Sequence, residues 1–217
     1  IQSGSGPFSG LDLFTTGAVL DNQEGVDILN LVSGDSVKIT GIIDEFRGES
    51  EILPLNIELI DVELPVAFTT APISDINDEN QVNKLETGEQ WEGVYVEFLD
   101  VTVSEVNPFN AGGTDRVSFT VTDDAGNKIN VSDRFLAQRL PAAGGSFVEP
   151  VVGTVYTNIR GVIAHSKNGC DGTGRGYELY PFSSNDYVIE EGSSPPIISN
   201  ITRSALASAS DANTTVT

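Results

Sequence analysis

The residues best suited to chemistry lie in one acidic stretch, Asp75-Ile76-Asn77-Asp78-Glu79-Asn80. Oxygen-bearing side chains that alternate along a loop can wrap around a hard cation such as Ca²⁺. We therefore take Asp75, Asn77, Asp78 and Glu79 as candidate Ca²⁺ ligands. The stretch lacks the central glycine and the distal glutamate of an EF-hand, so a solvated loop without an ion is the alternative interpretation.

Candidate catalytic residues are few. His165 is the single histidine of the chain, so a Ser–His–Asp triad would depend on it, and no serine lies in a Gly-x-Ser-x-Gly elbow. Cys170 follows His165 in a Gly-rich loop, and a Cys–His dyad is chemically conceivable. Such a thiol and imidazole on a loop are more often incidental. We therefore predict that the protein is not an enzyme, with no catalytic residue and no required cofactor.

Charge is the most unusual property of the chain. The sequence has 32 acidic and 11 basic residues, which gives a formal net charge of −21. Residues 1–110 carry 21 acids and 3 bases, whereas residues 111–217 carry 11 acids and 8 bases. Affinity for nucleic acid and for anionic membranes depends on Lys and Arg, so we expect neither as a partner. The acidity is typical of solubility in a secreted or salty setting.

The composition predicts an all-β protein. Val, Ile and Thr are abundant, and β-branched side chains favour strands, while 22 Gly and 10 Pro supply turns. A single Cys excludes an internal disulfide, and a single His excludes a multi-histidine metal site. No stretch approaches the roughly 18 apolar residues of a transmembrane helix, so we expect no membrane span.

Several strands can be placed from the sequence pattern. The clearest runs over residues 36–46, directly after the turn signal Ser33-Gly34-Asp35. Apolar and polar residues alternate in parts of 51–64, where Pro54 predicts two strand pieces rather than one. Residues 123–127 read Asp-Asp-Ala-Gly-Asn between two β-rich segments, which predicts a hairpin.

Three parts of the chain resemble OB-fold-like modules of large secreted bacterial surface proteins and extracellular nucleases. They are GDSVKITGIIDEFRG at 34–48, QWEGVYVEFLDVTV at 90–103, and GVI at 161–163 together with YELYPF at 177–182. The sequence PPIISNI, from Pro195, resembles the entry into a bacterial immunoglobulin-like or fibronectin-like repeat.

The resemblance implies two tandem small β-barrels of OB-fold type and an extracellular or cell-surface location. It divides the chain into a first module at 1–66, an acidic connector at 67–90, a second module at 91–190, and a linker with a C-terminal strand segment at 191–217. In the nucleases such modules accompany a separate catalytic domain, and no segment here resembles that domain.

Aromatic residues do not by themselves predict nucleic-acid binding. OB folds bind oligonucleotides through aromatic platforms beside a basic groove. The bases of the first half are only Lys38, Arg47 and Lys84. We therefore assign the aromatic residues to the core or its rim and consider nucleic acid an unlikely partner. These aromatic residues are Phe46, Trp91, Tyr95, Phe98 and Phe119.

The two ends of the chain suggest a hypothesis about assembly. Residues 1–8 resemble an internal barrel strand, so we expect the first module to lack its opening strand and to expose an unpaired edge. The tail after Pro195-Pro196 is too short and too rich in Ser and Ala to bury a core of its own. Its candidate partner-binding residues are Ile197, Ile198, Ile201, Leu206 and Val216.

These observations predict a non-catalytic extracellular structural or assembly module, such as a filament subunit or a surface-protein repeat. Its partners would be copies of itself, joined by strand addition between subunits, or neighbouring domains of a longer surface protein. The alternative is an accessory module of a secreted nuclease that binds nucleic acid or another substrate.

Overall fold

Strands dominate the structure, a computed structural model that describes residues 1–46, 48–165 and 176–189. In these ranges the chain forms eleven strands and three short helices, which confirms the expected all-β class. None of these helices has the length and apolar character needed to cross a membrane.

The elements fall into two groups along the chain, one before and one after residue 66. The first group contains β1 (Asp12–Leu13), α1 (Gly17–Asn22), β2 (Glu24–Gly25), β3 (Ser36–Phe46) and β4 (Glu49–Asp61). The second contains β5 (Thr69–Thr70), α2 (Ile73–Ile76), α3 (Leu85–Gly88), β6 (Tyr95–Ala111), β7 (Thr114–Thr122), β8 (Lys128–Val131), β9 (Val155–His165), β10 (Tyr177–Tyr180) and β11 (Tyr187–Ile189). Single 3₁₀ turns lie at Ile28–Asn30, Glu89–Trp91, Pro141–Ala143 and Ser184–Asp186.

The first group is built on a long antiparallel hairpin of β3 and β4. On the opposite edge of β4, the short strands β1 and β2 pair with it in parallel. Among the described residues β3 pairs with β4 alone, so the outer edge from Ser36 to Glu45 has no strand beside it. The described strands of this group therefore form an open sheet rather than the closed barrel that the resemblance implies.

Pro54 does not divide β4 into two pieces, contrary to the expectation. The strand is continuous from Glu49 to Asp61 and pairs with β3 throughout. The pairing register shifts between Thr40 and Gly41, and Gly41 is the residue opposite Pro54. A bulge at this point accommodates a residue that has no N–H to donate.

The second group forms a larger sheet whose central strands each have two neighbours. The sheet order is β11-β9-β10-β8-β7-β6-β5, and β6 also pairs with β9. Strands β8 and β10 are parallel, whereas the pairs β6–β7, β7–β8, β9–β10 and β6–β9 are antiparallel. Strand pairing from β6 through β7, β8, β10 and β9 thus leads back to β6, because the first half of β6 pairs with β9 and its second half pairs with β7.

The hydrophobic core lies inside the second group. Its aromatic centre includes Phe119, whose ring stacks 5.7 Å from that of Tyr156. Other members are Val96, Phe98, Val121, Ile129, Val131, Ile159, Ile163, Tyr177 and Leu179. In the described part of residues 1–66, by contrast, the buried apolar residues are only Ile52, Pro54 and Ile57. The first group therefore does not enclose a core of its own.

The acidic stretch at 67–90 packs closely against the second group. Thr69 and Thr70 form β5, which pairs in parallel with β6. Ile73 and Ile76 of α2 are buried in the core. Apolar residues among the acids therefore attach this expected connector to the larger sheet, and the proposed module boundaries remain predictions.

The N-terminal residues fold as a turn-rich loop and not as the expected barrel strand. Gln2 and Gly10 form one isolated antiparallel bridge, and the chain turns at Gly4, Gly6 and Phe8, all of which have positive φ. A strand at 1–8 is thus precluded by left-handed backbone conformations that reverse the chain.

Candidate functional site

A compact group of ionisable side chains lies where the two groups of strands meet. Glu89, Glu92 and His165 each offer a metal-ligating atom, and these atoms all lie within 4.8 Å of one another. Glu89 begins the 3₁₀ turn and Glu92 follows it, while His165 ends β9. The amide of Gly93 donates to the carbonyl of Ile163 at 2.7 Å, which fixes the turn beside the end of β9. We call these three residues the acidic centre.

Two members of the acidic centre are buried. Only 5% of the Glu92 side chain and 2% of the His165 side chain are exposed, and Glu92 Oε2 lies 3.7 Å from His165 Nε2. The Tyr177 ring packs on the imidazole with centroids 4.2 Å apart, and its hydroxyl donates to Glu89 Oε2 at 3.1 Å. Among the residues that the structure describes, neither carboxylate oxygen of Glu92 has a hydrogen-bond partner.

The environment of Glu92 opposes its negative charge. Burial, followed by the nearby carboxylates of Glu89, Glu49 and Asp12, raises the pKa of Glu92 to about 8. The backbone N–H of Ser50 acts in the opposite direction and lowers the pKa, but it is the smallest of these effects. Glu92 is therefore a buried acid that is favoured at neutral pH when it is protonated or paired with a cation.

A second carboxyl group with a raised pKa lies beside the acidic centre. Glu49, at the start of β4, has a pKa raised to about 8, chiefly by burial and then by the neighbouring Asp12. Arg134 partly compensates, since its guanidinium lies 3.7 Å from Glu49 and 4.0 Å from Asp12. The same guanidinium lies 5.3 Å from the centre of the Tyr180 ring. This cluster links β1 and β4 to the second group.

The chemistry open to His165 is that of a neutral imidazole. Burial lowers the pKa of His165 to about 4, so the ring is uncharged at neutral pH and can act as a base or a metal ligand. Cys170 of the conceivable Cys–His dyad lies outside the described residues. The distance between Cys170 and His165 is therefore not described, and the absence of catalysis remains a prediction.

The predicted Ca²⁺ loop uses several of its polar groups for internal hydrogen bonds. The buried Asn77 amide donates to the carbonyls of Lys128 and Tyr177 and accepts from the Tyr177 amide at 3.0 Å. Asp78 Oδ1 accepts from the amides of Asn80 and Val82, both at 2.8 Å.

The remaining acids of the loop are dispersed. Asp75 lies in α2, and within the described ranges Asp75, Asp78 and Glu79 do not form a group of three converging ligands. Asn77 thus serves to hold the loop against β8 and β10, and a Ca²⁺ ion there remains a prediction.

Exposed apolar side chains lie on both faces of the β3–β4 hairpin, because neighbouring residues of a strand point to opposite sides of the sheet. Ile43 is 64% exposed and Ile60 is 61% exposed, which is unusual for branched aliphatic side chains in strands. We define the hairpin surface as the exposed residues Ile42, Ile43, Phe46, Leu55, Leu59 and Ile60. It lies on the same sheet as the β3 edge, which no strand of the described part of the chain covers.

An open cleft of about 690 Å³ adjoins the start of β3. Its walls come from both groups of strands, so it lies along their junction. Representative lining residues are Leu13, Val37 and Leu64 from the first group and Tyr95, Val162 and Phe182 from the second. At this volume the cleft is large enough to accept several aliphatic side chains.

Comparison with known proteins does not assign a family. No known family model matches the sequence, and no curated protein is significantly similar to it. The functional conclusions therefore depend on the sequence and the geometry.

The sequence predicted an edge left open by a missing opening strand at residues 1–8, and this stays a prediction; the edge without a neighbour among the described residues is that of β3. Sequence reasoning did not find the acidic centre, because His165 lies far from Glu92 in sequence and meets it only through the pairing of β6 with β9. The pair Glu89 and Glu92, three residues apart, was the one available signal. The predicted partner-binding residues of the tail lie outside the described residues.

Proposed function

We propose that the protein is a non-catalytic extracellular assembly module that receives a strand from a second copy along the outer edge of β3. One observation carries the proposal: within residues 1–46, 48–165 and 176–189, the first group combines an edge without a neighbouring strand with aliphatic side chains that lack a core. Unpaired edges of this length invite strand addition unless they are covered.

Burial of the hairpin surface by an added strand is energetically favourable. Full burial of an aliphatic side chain stabilises by about 1.5–3 kcal/mol, so covering a residue that is already half-buried contributes about 1 kcal/mol. The hairpin surface therefore offers several kcal/mol in addition to the new backbone hydrogen bonds. Part of this gain offsets the entropy of ordering the added strand.

The proposed occupant is the C-terminal tail of another copy. The described chain ends at Ile189 in β11, which leaves 28 further residues, more than the 5–10 or so that an added strand requires. Ile197, Ile198 and Ile201 provide the aliphatic side chains for the cleft beside β3. A head-to-tail contact of this kind need not close, so it builds a filament.

We also infer that β6 to β10 form an OB-like barrel. The support is the order of strand pairing, which runs β6-β7-β8-β10-β9 and back to β6. The third and fifth of these strands in chain order, β8 and β10, are parallel, and the other neighbouring pairs are antiparallel. A five-stranded Greek-key barrel has this arrangement. Residues 91–190 would then be the complete module that carries the incomplete first group.

The OB-like arrangement is also the observation that favours the alternative function, an accessory module that binds nucleic acid or another substrate. Electrostatics oppose it for nucleic acid. Arg160 pairs with Glu97 at 2.8 Å and Arg116 lies 3.7 Å from Asp133, so these cations are already neutralised. Trp91 is buried and unavailable as a stacking platform.

The assembly proposal is tested on the full chain by sedimentation velocity, with and without residues 195–217, at moderate and high salt. We expect concentration-dependent oligomers for the full chain and monomers for the truncated chain. Because a net charge of −21 repels other copies, oligomers should grow as salt screens the charge. A synthetic peptide of residues 195–217 should bind the truncated chain.

Two matched variants locate the contact. Ile43→Lys places a charge on the strand with the open edge, whereas Val148→Lys places one on an exposed aliphatic residue outside the hairpin surface, between β8 and β9. We expect Ile43→Lys to weaken association at least about tenfold and Val148→Lys to leave it unchanged. Oligomers that survive both the truncation and Ile43→Lys would refute the proposal. So would a full chain that stays monomeric at every concentration and salt.

A further inference from the structure

We propose that the acidic centre of Glu89, Glu92 and His165 is a binding site for a divalent transition-metal ion of the Zn²⁺ class. The site lies between the 3₁₀ turn and the end of β9. Its occupation would clamp the turn that precedes β6 to the strand with which β6 pairs.

The donor set fits this class of ion. One imidazole nitrogen and two carboxylates are ligands that Zn²⁺ accepts, whereas Ca²⁺ and Mg²⁺ prefer all-oxygen sites. The two carboxylates would neutralise the charge of the ion, because His165 contributes none. Three protein ligands would leave a fourth position for water.

The distances fit after a small adjustment. Ligand bonds of about 2.1 Å at tetrahedral angles place donor atoms about 3.4 Å apart. Glu92 Oε2 and His165 Nε2 are already 3.7 Å apart. The wider separations, within 4.8 Å, involve Glu89, which is exposed and can rotate towards the ion.

A second observation points to a missing ligand. Glu92 is 6% exposed, and both of its carboxylate oxygens are buried without a hydrogen-bond partner in the described ranges of the chain. Buried polar atoms are almost always satisfied, so two orphan oxygens on one carboxylate indicate an absent cationic or donor group. The Tyr177 hydroxyl bonded to Glu89 is the kind of outer partner that orients metal ligands.

The test is calorimetric titration of the full chain with Zn²⁺, using Ca²⁺ and Mg²⁺ at matched ionic strength as comparators. A Cys170→Ser background prevents the single thiol of the chain from binding the ion. We expect saturation at one Zn²⁺ per chain and a higher melting temperature with Zn²⁺. Glu92→Gln and His165→Gln should weaken binding by more than about 100-fold, since even outer-shell changes cost 10–100-fold.

Glu86→Gln is the matched control, because Glu86 is an exposed acid three residues before Glu89. It should leave binding unchanged. Glu92→Gln should fold, since it removes a buried repulsive charge, and NMR signals of the single histidine in the parent chain provide a second readout. The proposal is overturned by a histidine signal that Zn²⁺ leaves unmoved, by equal binding of Ca²⁺, or by Glu92→Gln binding as tightly as the parent.

Discussion

The close approach of Gly10 to Gly93 predicts that Gly10→Ala will detach the N-terminal loop from the second group. A Cβ atom at Gly10 would lie 2.0 Å from the Gly93 carbonyl carbon and 2.3 Å from the Val94 nitrogen. Both neighbours are backbone atoms beside the pairing of β6 with β9, so they cannot move aside. The loop that carries the alanine must move instead.

The cost follows from the hydrogen bonds that the loop would lose. Gln2 Oε1 accepts from the Tyr95 amide at 2.7 Å, and Gln2 Nε2 donates to the Ala67 carbonyl at 3.1 Å. The Gly6 amide donates to Thr69 Oγ1 at 2.7 Å, and the Phe8 amide donates to the Gln90 carbonyl at 2.6 Å. At about 1 kcal/mol each, with partial replacement by water, the loss is about 3 kcal/mol. For a chain of this size that lowers the melting temperature by about 6–12 °C.

Thermal unfolding and amide hydrogen exchange measure the two consequences. Gly17→Ala is the control, because a Cβ there meets no atom within 4 Å and the backbone φ is not positive. We expect Gly10→Ala to melt earlier than Gly17→Ala and to lose exchange protection at the Tyr95 amide. If Gly10→Ala keeps both its melting temperature and that protection, the docking of the loop on the second group is wrong.

Two further predictions concern charge. A folded-state pKa of about 8 for Glu49, against an ordinary 4.5, means that the native state binds more protons and that stability falls as pH rises between these values. Glu49→Gln should therefore raise the melting temperature at pH 8 but have little effect near pH 5. Glu45→Gln, a change at an exposed acid, is the control and should show no such pH dependence. Equal shifts of the Glu49→Gln melting temperature at both pH values would contradict the raised pKa of Glu49. Single-stranded oligonucleotides should show negligible binding by fluorescence anisotropy at physiological salt, because few phosphates could be neutralised, and micromolar binding would favour the accessory-module function.

The sequence alone determined the strand content and several local elements. The pattern at 36–46 predicted β3 with its observed bounds, and the turn at 123–127 predicted the hairpin of β7 and β8, in which Thr122 pairs with Lys128. These features follow from β-branched residues and turn-forming residues close in sequence, so no distant contact is needed to specify them. The abundance of acids likewise fixes the net charge in any fold.

Only the tertiary structure decided which residues are buried and which side chains meet. Ile43 and Ile57 look equivalent in sequence, yet one is 64% exposed and the other fully buried. Ile57 lies in β4, which β2 and β3 flank, whereas Ile43 lies in β3, which pairs with β4 alone among the described residues. Pro54 stays inside a continuous strand because the pairing register shifts beside it: Thr40 pairs with Asn56 and Gly41 with Pro54, so Leu55 of β4 is the extra residue of a bulge. Glu92 and His165 meet because β6 pairs with β9 across more than 50 residues of chain. Such contacts depend on long-range pairing, which local propensity and hydrophobic period do not encode.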